Sequence, residues 1–132
     1  AYSPAALMTY HYGKVVPVFG PGKYHARNDD TFVDWREMDG KPIRIVAKAK
    51  PIDPALYQDY LSNVSVQTQV IEGVPFTIVD GSNFNYSRFR DVVLREAVEK
   101  YYQIPSILPV MDCPFARKYG FEEECRLVIP GG

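Results

Sequence analysis

The stretch VSVQTQVIEGVPFTIV, residues 64–79, decides how the rest of the chain is read. Val64, Val66, Thr68 and Val70 alternate with Ser65, Gln67 and Gln69. A period of two belongs to a strand with one packed and one wet face. Glu72-Gly73 then makes a tight turn, residues 74–79 return as a second strand, and Asp80-Gly81 ends it.

Upstream, residues 43–50 alternate in the same way. Ile43, Ile45, Ala47 and Ala49 fall on one side, and Arg44, Val46 and Lys48 on the other. Residues 31–37 read as the hairpin partner of this strand, joined to it by Met38-Asp39-Gly40-Lys41. A short helix is expected over 54–61, with Asp53 as N-cap and Pro54 at the first position. Its apolar stripe is Leu56, Tyr57, Tyr60 and Leu61. Residues 87–103 carry the strongest helical pattern. There Phe89, Val93, Ala97 and Tyr101 lie four apart, with Asp91–Arg95 and Glu96–Lys100 as i,i+4 ion pairs. Pro105 and Pro109 punctuate an extended piece at 107–111, and 124–129 alternates as a last strand.

Hairpins separated by helices make this an α+β chain: a mainly antiparallel sheet with one long and one short helix packed on it. Residues 1–132 read as a single domain. The expected core is Ile43, Ile45, Phe76, Ile78, Phe89, Val93, Ala97, Leu127 and Ile129.

The N-terminal segment stands apart. Residues 1–4 form a small proline-broken arm, and residues 7–12 and 14–19 are β-prone and split by Gly13. Tyr2, Tyr10, Tyr12 and Tyr24 crowd the first 24 residues. Tyrosine offers broad apolar contact with a polar tip, which suits an interface. Residues 1–12 are therefore expected to dock on a partner, with these four tyrosines as binding residues.

Composition narrows the classes of function. Hydrophobic residues make up 46% and charged residues 23%, as in a folded domain. Fifteen basic against sixteen acidic side chains leave a net charge of −1, without the basic excess of a nucleic-acid binder. No apolar run reaches the length of a membrane span. Cys113 and Cys125 fit no zinc spacing and read as reduced thiols of an intracellular or particle-associated protein; the alternative is a disulfide across a hairpin, which implies an oxidising compartment. No metal or cofactor is expected.

Candidate chemistry is sparse. His11 sits between Tyr10 and Tyr12 on an expected strand, facing away from both rings, and His25 lies in a loop. Either could pair with Asp112 or Cys113, but no nucleophile motif surrounds them. Gly20-Pro21-Gly22-Lys23 lacks the spacer and following helix of a phosphate loop and reads as a turn. Arg88, Arg90 and Arg95 share their helix with Asp91, Glu96 and Glu99, a mixed solvent face.

Glu122 and Glu124, two apart on an expected strand, would share one face. Paired carboxylates can serve as acid and base. The placement resembles the Glu-x-Glu strand of ADP-ribosyltransferases over about a dozen residues. That resemblance implies a catalytic Glu124, Glu122 as its partner, and an arginine from an early strand, Arg27 or Arg44. Nothing matches the family's Ser-Thr-Ser strand. The ordinary reading of such a run is a solvated acidic edge.

The favoured reading is a structural or assembly subunit acting on other protein subunits or on its own copies. One alternative is a small enzyme acting on NAD or a nucleotide sugar. The other is a ubiquitin-like modifier or sulfur carrier, from the terminal Gly131-Gly132.

Overall fold

The computed structural model describes residues 2–19, 32–48, 52–104, 107 and 113–124. The fold is α+β, with a three-stranded antiparallel sheet and helices. The chain divides into two compact units: Asp34–Phe89, and Ala1–Val33 together with Arg90–Gly132.

The Asp34–Phe89 unit holds the sheet. Strands β1 (Ile43–Lys48), β2 (Ser62–Ile71) and β3 (Val74–Ser82) are ordered β1-β3-β2. The hairpin read from residues 64–79 is present, with Ile71 opposite Val74, Thr68 opposite Thr77 and Val66 opposite Val79. Glu72 and Gly73 both have positive φ, 49° and 78°. This is the type I′ signature, whose twist matches that of the strands it joins. The strand does not end at Asp80-Gly81, because β1 pairs there too: Arg44 lies opposite Asp80 and Ile43 opposite Gly81.

The expected partner of β1 is not a strand. Residues Trp35–Met38 form a 3-10 helix. Asp34 accepts from the Arg36 backbone N–H at 3.1 Å and grips its guanidinium at 2.9 and 2.7 Å. Such local capping competes with a ladder. The following turn is type II, with Asp39 at φ −54° and ψ 132°, Gly40 at φ 72°, and Lys41 N–H donating to the Met38 carbonyl at 3.0 Å. Type II turns splay strands, so this one joins a helix to a strand and closes no hairpin.

The short helix α2 spans Ala55–Gln58, and Asp53 accepts from the Ala55 N–H at 2.9 Å as its expected capping side chain. Tyr57, Tyr60 and Leu61 are buried, but Leu56 faces out. Around them the core of this unit is aromatic. The Phe89 ring lies 4.8 Å from Trp35, 5.1 Å from Phe84 and 5.5 Å from Tyr60. Ile45 and Ile78 are buried as expected, whereas Ile43 and Phe76, at opposite ends of the β1–β3 ladder, are only half-buried.

The long helix begins one residue earlier than expected, at Tyr86, because Asn85 caps it by accepting from Arg88 N–H at 2.9 Å. It runs as α3 (Tyr86–Phe89), a π-turn (Arg90–Leu94) and α4 (Arg95–Tyr101), 16 residues in all. Phe89, Val93 and Ala97 are buried, Tyr101 is half-buried, and both expected i,i+4 ion pairs form.

In the other unit, residues 2–12 are a helix, α1 (Tyr2–Tyr12), and not a strand. Pro4 sits in the first turn, where no backbone N–H is needed. Gly13, at φ 70°, donates to the Thr9 carbonyl at 3.0 Å and stops the helix. Pro4 and Gly13 are thus a helix start and a helix stop, not breaks in a strand. Residues 15–19 form no strand. A further helix, α5 (Pro114–Tyr119), was not expected. Pro114 opens it and Gly120, at φ 74°, closes it: Gly120 donates to Arg117 O at 3.2 Å and Phe121 to Ala116 O at 2.8 Å. This is a Schellman ending. Phe115 stacks on Tyr102 at 4.3 Å and Tyr119 donates to the Val33 carbonyl at 3.1 Å.

Cys113 is disulfide-bonded, which corrects the reduced-thiol expectation at this position. Spacing alone does not fix pairing; geometry does. Residues 125–129 of the strand expected over 124–129, core residues Leu127 and Ile129, residues 108–111 of the expected extended piece, the residues 20–31 and the terminal glycines lie outside the described residues.

Candidate functional site

Three places could carry function. The first is α1. With Gly13 as its stop and Thr9 Oγ1 accepting from Val16 N–H at 2.9 Å, the helix is closed at its C-terminal end without help from a partner. Ala5 is buried, while Leu7, Met8, Tyr10 and Tyr12 are exposed. Apolar residues are not gathered on a single buried stripe, so much of this surface is left to solvent. His11 does not face away from the tyrosines as a strand would place it. Its ring meets Tyr10 edge-on at 5.2 Å. Tyr2 starts the helix, but its side chain, like all of Tyr24, lies outside the described residues.

The second place is the acidic run. Glu122 and Glu124 stand in a turn after α5, not on a strand, because the Schellman ending reverses the chain at Gly120. Glu122 is exposed. Glu124 receives Arg95 at 2.6 Å, and its carbonyl accepts from Gln103 Nε2 at 2.8 Å. The same Gln103 amide donates to Val98 O at 3.0 Å, so Glu124 ties the turn to the end of α4. Arg95 comes from a helix, not an early strand. Arg27 lies outside the described residues.

The third is an open depression of about 570 Å³ at the end of the sheet, lined by Pro42, Arg44, Asn63, Asp80 and Ser82 among others. A β-bulge between Ser62 and Ser65 shapes it, with Asn63 at φ 50°. Asn63 Nδ2 donates to Ser82 Oγ at 3.1 Å, and Ser82 Oγ donates to the Ser62 carbonyl at 3.2 Å. Arg44 spans Asp80 with two bonds, 2.7 and 3.0 Å. This hydrogen bonding holds the Asp80 carboxyl below its usual range and raises Arg44. A carboxylate so engaged is a weak proton acceptor. The site can present fixed polar groups to a ligand, but it holds no poised base.

Sequence reading missed this third cluster. The available signal was the opposite charge of Arg44 and Asp80, a cross-strand pair once β1 is placed beside β3. Among the described residues no helix is long and apolar enough to cross a membrane. No family model, curated protein or solved structure matches the chain.

Proposed function

We propose that this protein is an assembly module whose helix α1 docks on a neighbouring protein subunit. One observation carries the reading: on a helix already closed by its own hydrogen bonds, Leu7 is 61%, Tyr10 82% and Tyr12 68% exposed. Large rings and a leucine held in water on a formed helix are ready anchors, since the backbone entropy of the segment is already spent. The helix-in-groove mode fits this surface better than the strand addition that an extended arm would use.

The enzyme reading has less to support it. Glu124 is engaged by Arg95 and Glu122 stands in solvent.

The test is the native mass of the full chain, by light scattering, with and without Leu7→Ala, Tyr10→Ala and Tyr12→Ala together. An assembly that shrinks on substitution while far-UV dichroism and the melt hold supports the reading. A chain whose assembly is unchanged, or whose melt collapses because α1 belongs to the core, overturns it.

A further inference from the structure

We infer that a second copy of this chain pairs antiparallel along the outer edge of β2, about a two-fold axis normal to the sheet, joining two three-stranded sheets into one. This extends the assembly reading but stands on the other compact unit and on different residues.

The argument starts from which edge is defended. Among the described residues, β2 and β1 are the two edges of the sheet. β1 carries Arg44 and Lys48, the charges that blunt an edge against pairing. β2 is ten residues long, SNVSVQTQVI, with no charged residue and no proline. Self-pairing a charged strand would set like charges against each other. Self-pairing β2 sets none, so a second copy is the partner this edge suits best.

Register identifies the free groups. Val70 lies opposite Pro75, which has no N–H to donate. That pair is therefore of the non-hydrogen-bonded kind, and the backbone of Val70 points outward. By alternation, so do the N–H and C=O of Thr68 and Val66, while Gln67 and Gln69 bond toward β3. The bulge at Ser62–Ser65 interrupts the pattern only at the far end.

The side chains agree with the backbone. Val66, Thr68 and Val70 are all exposed, on the same sheet face as the buried Ile45 and Val79. An axis normal to the sheet keeps each face on its own side. Centred on Thr68, the pairing sets Val66 against Val70 of the other copy, extending the apolar face across the join. β-branched cross-strand pairs of this kind stabilise sheets.

The experiment uses the full chain. Light scattering over a dilution series should show twice the chain mass, falling to one on dilution. Amide exchange should protect Val66, Thr68 and Val70 only in the concentrated sample, with Gln67 and Gln69 protected in both. Thr68→Pro removes an outward N–H without touching the β3 ladder. Gln67→Lys with Gln69→Lys places like charges across the axis at exposed positions. Each should abolish the dimer with far-UV dichroism retained, and the lysine pair serves if the proline variant fails to fold. The α1 triple substitution should leave this dimer intact, which separates its failure from that of the α1 reading. A monomer at every concentration, a dimer indifferent to the lysine pair, or edge amides already protected in dilute monomer overturns the inference.

Discussion

The guanidinium carbon of Arg90 lies 4.2 Å from the centroid of the Phe121 ring, and Nε of the same side chain donates to the Tyr119 carbonyl at 2.7 Å. Arg95 reaches the same ring at 4.9 Å. Residues five apart sit about 140° apart around a regular α-helix and could not share a ring. The wider π-turn at Arg90–Leu94 brings them to one side. A second bond from Arg90, to the Gly120 carbonyl at 3.2 Å, completes the C-terminal cap of α5.

Arg90→Ala removes both carbonyl contacts and the ring contact. The expected loss is about 2–3 kcal/mol, read from the urea midpoint. Arg90→Lys should recover only part of it, because an ammonium cannot reproduce the planar fork. A midpoint unchanged by either substitution would remove Arg90 from the account of α5.

Phe89 is the hub of the aromatic core, and Phe89→Ala should cost about 3–5 kcal/mol. Leu56→Ala, on the exposed side of α2, should stay within about 0.5 kcal/mol. Thermal melts of the two variants side by side check the assignment of faces. Equal losses would contradict it.

At Gly81 a Cβ would meet Leu61 Cβ at 2.8 Å and Cδ1 at 2.9 Å. Gly81→Ala should therefore lower stability by about 1–3 kcal/mol through overpacking. Leu61→Ala clears the outer atoms, so the double variant should lose less than the sum of the singles. Strict additivity in a denaturant cycle would show that the two positions do not compete for space.

Burial, with Tyr57 and Asp59 nearby, pushes the Tyr60 phenol from 10.0 up to about 12. The neutral ring is the one the fold holds. Its contribution to stability is full below the ordinary phenol value and is lost as the pH rises from there toward about 12. Tyr60→Phe should flatten the fall in stability across that window and remove one high-pH step from the tyrosinate absorbance titration. A variant with the same alkaline limb as the parent chain would mean that Tyr60 ionises normally.

Much of this was legible in the chain. The period of two at residues 64–70, the Glu72-Gly73 turn, the Asp53 cap and the i,i+4 pairs of the long helix are local signals, and each names its structure within a few residues. Two helices were equally legible by their punctuation. Pro4 and Gly13 bracket α1, and Pro114 and Gly120 bracket α5, as proline starts and glycine stops do. Both were obscured by β-prone or turn-forming residues, whose preference is weaker evidence than a matched start and stop.

What the sequence by itself determined was the α+β class, the β2–β3 hairpin and the residues that cap its helices, because hydrophobic period and capping act over a few residues. Only the tertiary structure decided that β1 pairs with β3 and not with residues 31–37. It alone gathered Trp35, Phe84 and Phe89 into one cluster, and left Tyr10, Tyr12, Val66 and Val70 exposed. These are contests between surfaces distant along the chain. Their outcome depends on which contacts bury the most area without stranding a polar group, a sum that no local window contains.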